Sequence, residues 1–181
     1  RYAEFGMKKE RIEHTYRAVK TGIYLAKIHD ADVDKTVTAL VLHDVGKYAD
    51  AALLAKYGIT LDPAILKMPA PVQHAPIGAL IAERCFRIED AEILDAIREH
   101  TTGKVGMSTL SEIVYLADCI EPGRAYPGVE TLRELARSNL DKAMAAALKG
   151  VMQHTESSGG ELAPETAEAC EYFEKRIRGI V

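Results

Sequence analysis

The sequence lacks the features that mark several classes of protein. Its three cysteines, Cys85, Cys119 and Cys170, are odd in number and never spaced as Cys-x-x-Cys, which argues against a disulfide framework and a thiolate zinc site. No apolar run approaches the roughly 18 residues of a membrane span, and the charged first residues lack the apolar segment of a signal peptide. We therefore predict a cytoplasmic protein that does not bind a membrane.

The sequence also lacks an excess of basic over acidic residues. The formal net charge of −4 argues against non-specific binding to nucleic acid, so the predicted partner is a small molecule. The chain contains no internal repeat. Its 181 residues predict one domain over 1–181, which is long enough to bury about two-thirds of its unfolded surface. The sequence leaves a homodimer open.

No segment bounded by residues typical of turns alternates apolar and polar residues, as a half-buried β-strand does. Nearly every long segment instead has apolar residues at helical spacing. We therefore predict an all-α fold, with loops over Pro63–Pro76 and Thr102–Gly106. The predicted helices are Lys8–Ile28, Asp34–Tyr48, Ala51–Lys56, His74–Phe86, Glu89–Thr101, Ser108–Ile120, one or two helices over Val129–Gln153, and a terminal helix from Pro164.

His43 and Asp44 are adjacent within the apolar run Thr38–Lys47, where an ionisable side chain needs a partner. Candidate partners occur elsewhere, each in an apolar context, and they are His14, His74, His100 and Asp118. Imidazoles mixed with carboxylates suit iron, manganese or zinc better than calcium or magnesium. The sequence thus predicts a metal centre, and His29-Asp30 and His154, in polar or flexible settings, are excluded from it.

The ordered set His14, His43-Asp44 and Asp118 resembles the pattern of the HD-domain metal-dependent phosphohydrolases. His74 and His100 resemble the extended pattern of members that hold two metals. Within that superfamily the chain resembles the YqeK family, which hydrolyses diadenosine tetraphosphate symmetrically to two ADP. The phrases that carry this resemblance are Glu13–Thr15 (EHT), His43–Lys47 (HDVGK), His100–Gly103 (HTTG), Leu116–Arg124 (LADCIEPGR) and Tyr126–Gly128 (YPG).

The resemblance covers nearly the whole chain and implies a helical bundle with a metal centre in its core. The mixed imidazole and carboxylate set predicts iron, as one or two ions, with manganese or zinc as alternatives. The resemblance implies that His14, His43, Asp44 and Asp118 bind metal. Hydrolysis of a phosphoanhydride at an inner phosphorus needs a hydroxide at neutral pH, which such a metal supplies by lowering the pKa of bound water from about 15.7 toward about 7. We assign catalytic roles to Asp44 and Lys47.

Cations and hydroxyls near the predicted ligands are expected to contact the phosphates. Lys47 lies one helical turn after His43, and Arg11 about one turn before His14. The segment Glu161–Thr166 resembles a family segment with a Pro-x-Thr core, so we expect residues 159–181 to form a terminal helix over the nucleotide. The predicted substrate contacts are Arg11, His74, His100, Thr101, Thr102, Arg124, Glu161, Pro164 and Thr166.

Several alternatives stay open at this point. His74 and His100 either bind a second metal bridged by Asp44 or hydrogen-bond phosphate directly. The same fold also serves nucleoside monophosphatases, which need only the four-ligand core, and cyclic-dinucleotide phosphodiesterases, whose His-Asp-x-Gly-Lys motif is present here without a following Gly-Tyr-Pro. A non-catalytic nucleotide-binding module would be favoured by the loss of a ligand, and none is missing.

Overall fold

The computed structural model describes residues 2–181, and its regular structure over that range is helical, with no β-strand. The predicted all-α fold is confirmed. The α-helices of this range are α1 (Lys9–Ile28), α2 (Val33–Leu42), α3 (Ala51–Lys56), α4 (Pro63–Lys67), α5 (His74–Phe86), α6 (Ala91–Glu99), α7 (Thr109–Ile120), α8 (Val129–Ser138), α9 (Leu140–Ser157) and α10 (Pro164–Ile177).

Short polar side chains start many of these helices, as the local sequence predicts. In each case the side chain accepts a hydrogen bond from a backbone N–H of the first turn, which satisfies a donor that has no partner within the helix. The residues that do so at α2, α3, α6, α7 and α9 are Asp32, Asp50, Asp90, Ser108 and Asn139. The predicted bounds of α3 and α5 match those observed.

Helix α7 lies at the centre of the fold, in contact with α1, α2, α6, α8 and α9. Leu116 is buried in one apolar cluster with Leu148 and Phe173, while Val114 is buried in another with Leu40. Because apolar clusters flank α7 on both sides, its backbone is held firmly by packing. Asp118, in the last turn, is positioned by that packing.

Helices α1 and α2 approach closely because residue 22 has no side chain. A Cβ atom on Gly22 would lie 2.1 Å from Cδ1 of Leu40, well inside van der Waals contact. The close approach brings the rings of His14 and His43 to 5.5 Å between centroids. The small residue at position 22 therefore helps to place His14 beside His43.

The predicted helix Asp34–Tyr48 is wrong in its second half. Helix α2 ends at Leu42, and the chain then makes successive turns through i→i+3 hydrogen bonds. These turns bring Gly46 so close to α5 that a Cβ there would lie 2.3 Å from the carbonyl oxygen of His74 and 2.6 Å from the nitrogen of Gly78. The turn therefore packs against the backbone of α5 and brings Asp44 close to His74.

The predicted loop Pro63–Pro76 is also wrong, because it contains α4, a short 3-10 turn at Ala70–Val72 and the start of α5. The side chain of Asp62 accepts a hydrogen bond from the nitrogen of Ala64, and Pro63 occupies the first turn of α4. Both residues favour a helix start.

No helix within residues 2–181 is long and apolar enough to cross a bilayer.

Candidate metal centre

Four histidines, on α1, at the start of α5 and just beyond α2 and α6, direct one ring nitrogen to a common centre. Their other nitrogen, Nδ1, lies beside an oxygen acceptor in each case. The acceptors are Glu121 Oε1 for His14 (3.1 Å), Leu40 O for His43 (2.6 Å), Pro71 O for His74 (2.9 Å) and Ile97 O for His100 (2.7 Å). Because these oxygens only accept, we assign the proton to Nδ1, which leaves the lone pair of Nε2 free to bind a cation.

The two oxygens of Asp44 face two halves of this centre. Oδ1 lies 3.1 Å from Nε2 of His74 and 4.0 Å from Nε2 of His100. Oδ2 lies 3.3 Å from Nε2 of His43 and 3.9 Å from Nε2 of His14. One carboxylate thus faces two groups of imidazoles, one with each oxygen.

Asp118 completes the half that contains His14. Its Oδ1 lies 2.9 Å from Nε2 of His14 and 4.0 Å from Nε2 of His43. Within residues 2–181, two groups have ligand atoms within 4.8 Å of one another, and they are His14, His43, Asp118 and His43, Asp44, His100. The structure therefore brings all six predicted ligands together, across a span of more than a hundred residues of sequence.

The chemistry of these atoms fits a metal ion. Nε2 of His14 and of His43 is buried and has no hydrogen bond of acceptable geometry to any part of residues 2–181. A buried polar atom without a partner costs free energy, and a metal ion would satisfy both nitrogens at once. Imidazole nitrogens with carboxylate oxygens form a donor set for a divalent transition metal.

The two carboxylates are held in the charged form that metal binding requires. Burial alone disfavours the charge, but the neighbouring imidazoles of His43 and His74 outweigh it and lower the pKa of Asp44 well below its usual range. For Asp118, burial is likewise outweighed by the neighbouring imidazoles of His14 and His43, and the pKa is lowered. Neither carboxylate needs to lose a proton at neutral pH before a cation binds.

Burial acts in the opposite sense on the basic groups of the centre. Burial, reinforced by the nearby His43 and His74, lowers the pKa of His100 to about 3, which keeps this imidazole neutral and able to bind a cation. Burial also lowers the pKa of Lys47, whose Nζ lies 3.4 Å from Nδ1 of His74. Lys47 is therefore beside His74, although the chain does not form the helical turn after His43 that the sequence predicted.

Two arginines contact the carboxylates of the centre. Arg11 donates a hydrogen bond from Nη1 to Oδ2 of Asp44 at 2.7 Å. Arg124 donates from Nη2 to Oδ1 of Asp118 at 2.6 Å and from Nε to the carbonyl oxygen of the same residue at 2.9 Å. Both guanidinium groups thus lie at the edge of the predicted metal centre, and their contact with phosphate stays a prediction.

Glu121 is a functional residue that the sequence analysis missed. It is buried, its Oε1 accepts from Nδ1 of His14, and its Oε2 accepts from Nε of Arg17. A carboxylate behind a ligand histidine fixes the ring orientation and raises its basicity. Arg133 supports the same turn, because it donates to the carbonyl oxygens of Ile120, Glu121 and Arg124. The position of Glu121 three residues after Asp118 was the available clue.

The predicted hydroxyl contacts have partners in the protein. Thr101 Oγ1 donates to the carbonyl oxygen of Val72, and Thr102, which is buried, donates to that of Gly103. Thr166 is buried near the start of α10, while Glu161 and Pro164 are exposed. Their contacts with substrate stay predictions, as does a nucleotide cover formed by residues 159–181.

The excluded dipeptide His29-Asp30 lies away from the centre. His29 ends α1 and its Nε2 is 2.7 Å from the carbonyl oxygen of Ala136 on α8. Asp30 has a φ of 54°, in the left-handed region. The dipeptide His29-Asp30 therefore lies at a helix end, whereas His43-Asp44 lies in the candidate metal centre.

Comparisons with known proteins agree with this geometry. The HD domain family matches residues 11–123. The chain is 35% identical to the symmetrical bis(5'-nucleosyl)-tetraphosphatase of Bacillus subtilis over 88% of this chain and 87% of that protein. It is 37% identical to the Staphylococcus aureus protein of the same name, over 78% and 75%.

A solved structure resembles the whole fold. It is described as an HD superfamily hydrolase involved in NAD metabolism from Clostridium acetobutylicum, and it superposes with a TM-score of 0.84 at 30% identity, over 97% of this chain and 94% of that one. Together with the sequence matches, this likeness confirms the resemblance carried by the six ligands. The chain therefore belongs to the HD-domain superfamily and, within it, to the YqeK family.

Proposed function

We propose that this protein hydrolyses diadenosine tetraphosphate symmetrically to two ADP. The proposal rests on the surroundings of Asp44. Its two oxygens face two groups of imidazoles, and Arg11 and Lys47 lie beside them. Such a centre can hold two cations next to positive charge, as cleavage of a phosphoanhydride requires. The names of the Bacillus subtilis and Staphylococcus aureus relatives support this substrate.

The residues of this chain would act in two ways. His14, His43, Asp44 and Asp118, with His74 and His100, would hold one or two ions, and we propose iron, with manganese or zinc as alternatives. When bound, such an ion supplies a nucleophilic water of lowered pKa. Arg11, Lys47 and Arg124 would stabilise the negative charge that is redistributed when the bond between the two inner phosphates breaks. A homodimer and a cytoplasmic location stay predictions.

The decisive experiment incubates metal-loaded protein with diadenosine tetraphosphate, a nucleoside monophosphate and a cyclic dinucleotide, and separates the products by chromatography. We expect ADP alone from the first substrate. ATP with AMP would contradict symmetrical cleavage, while turnover of only the second or third substrate would assign the alternative hydrolase classes. Elemental analysis before and after chelation identifies the metal, and full activity without metal would refute the proposal.

Two substitutions separate metal binding from phosphate binding. Asp44→Asn removes the negative charge that faces both groups of imidazoles, so we expect loss of both hydrolysis and bound metal. Lys47→Ala removes only a cation beside His74, so we expect metal to be retained and turnover to fall. Asp30→Asn is the matched control, because asparagine tolerates the left-handed backbone at that position. If Lys47→Ala lost metal as completely as Asp44→Asn, these roles would be wrong.

A further inference from the structure

A short irregular segment, residues 121–128, joins α7 to α8 and carries two groups that contact the metal centre. The carboxylate of Glu121 accepts from His14, and the guanidinium of Arg124 donates to Asp118. Glu121 lies just beyond α7 and has a non-helical backbone, with φ −52° and ψ 151°. The last carbonyl groups of a helix have no partner within it, so contacts from outside are needed to hold this segment in place.

Arg133 of α8 supplies such contacts. Its Nε donates to the carbonyl oxygen of Ile120 at 2.9 Å, and its Nη2 donates to those of Glu121 at 3.0 Å and Arg124 at 2.9 Å. The side chain is 16% exposed, and Nη1 donates to Glu130, whose side chain is 80% exposed. A guanidinium group is planar and rigid, so its nitrogens fix the relative positions of the three carbonyl groups.

These contacts do more than cap α7. The helix ends at residue 120, and the carbonyl oxygen of Arg124 lies well beyond that end. The nitrogen of Arg124 donates to the carbonyl oxygen of Glu121 at 2.8 Å, so the two residues close one turn. Within that turn the nitrogen of Gly123 donates to Oε2 of Glu121. Arg133 therefore binds both ends of the turn that carries the two side chains.

We propose that Arg133 is a positioning residue for the reaction, because it fixes the turn that carries Arg124 and Glu121. Through this turn it holds both side chains against the metal centre, and it needs no contact of its own with the substrate. The inference rests on the proposed function for the role of Arg124, which is to stabilise phosphate charge. The role of Glu121 is independent of the substrate, because this carboxylate orients the predicted ligand His14.

Arg133→Met tests the proposal, because methionine keeps part of the apolar stem and removes every donor. The buried face of α8 is formed by other residues, Val129, Leu132 and Ala136, so we expect a folded protein with a lower melting temperature. At saturating metal we expect turnover of diadenosine tetraphosphate to fall about 10²-fold, as for a displacement of about 1 Å near the reacting groups. Metal affinity, measured by competition with a chelator, should weaken about tenfold or more.

The matched control is Arg137→Met. Arg137 is exposed and lies one turn further along α8, so its loss removes the same charge from the same helix. We expect this variant to keep the turnover and metal affinity of the parent. Arg133→Lys keeps the charge but replaces the rigid fork with one ammonium group, so we expect it to lie between Arg133→Met and the parent in both measurements.

Double-mutant cycles separate positioning from a general loss of stability. In an Arg124→Met background, Arg133→Met should cost little further turnover, because the group that it positions is gone. In a Glu121→Ala background, it should cost little further metal affinity for the same reason. The melting temperature should still fall in both backgrounds, since the carbonyl oxygens lose their donor in each.

Three results would overturn the assignment. They are parental turnover and metal affinity in folded Arg133→Met, the same factor of loss in the two mutant backgrounds as in the parent, and an equal loss in Arg137→Met. If Arg133→Met does not fold, Arg133→Lys takes its place in both cycles. Failure of the proposed function is distinguishable, because the cycle with Glu121 measures metal affinity and confirms or refutes the positioning role even if diadenosine tetraphosphate is not cleaved.

Discussion

Replacing Gly46 by alanine tests how the turn after α2 places Asp44. The added Cβ would lie 2.3 Å from the carbonyl oxygen of His74 and 2.6 Å from the nitrogen of Gly78, both backbone atoms that cannot rotate away. The turn and α5 must therefore separate by about 1 Å to reach ordinary contact. Overpacking of this kind costs about 1–3 kcal/mol, or about 3–10 °C in the melting temperature of a chain of this length.

The same shift should widen the 3.1 Å approach of Asp44 Oδ1 to His74 Nε2. A displacement of about 1 Å in a catalytic group costs about 10²-fold in rate, so we expect hydrolysis to fall by that order and bound metal to decrease. Calorimetric melting, elemental analysis and turnover measure the three effects. Gly150→Ala is the stability control, and it should melt no lower than the parent. A Gly46→Ala protein with the melting temperature, metal content and turnover of the parent would refute this account of the turn.

Two further predictions concern buried carboxylates. Glu121→Gln keeps an oxygen near His14 but removes the charge, so we expect metal affinity, measured by competition with a chelator, to weaken about 10–100-fold; an unchanged affinity would leave Glu121 with only a packing role. Burial raises the pKa of Glu112 to about 7, against the opposing effect of Arg176. An acid with a raised folded pKa stabilises the fold below its unfolded pKa and loses that contribution as pH rises toward 7. The melting temperature of Glu112→Gln minus that of the parent should therefore increase from pH 5 to pH 8, and a pH-independent difference would contradict the raised pKa.

The local sequence predicted where helices begin, because a helix start depends on the residues next to it. The starts of α3 and α5 follow from a capping residue and from proline in the first turn, and both match the structure. The turn at Gly46 was missed, because it packs against the backbone of α5, a contact that periodicity within Thr38–Lys47 cannot indicate. Helix α4 could have been found, since Asp62-Pro63 is a helix-start pair.

The candidate metal centre followed from residue types and from the family resemblance, not from local structure. The apolar setting of His43 and Asp44 called for partners, and the structure brings those partners together. The contacts of Arg133 with the segment after α7 had no counterpart in the sequence analysis, because they join a side chain of α8 to backbone atoms that only tertiary packing brings near it.

The rings of His43, His74 and His100 are oriented by carbonyl groups of their own turns, so these three candidate ligands need no ion to hold them in place. Small zinc domains behave differently, since their metal supplies the free energy of folding. We expect this chain to fold first and to take up its ion afterwards. The ion that it carries would then follow the competition among metals available to the cell, and its hydrolytic rate would report on that supply.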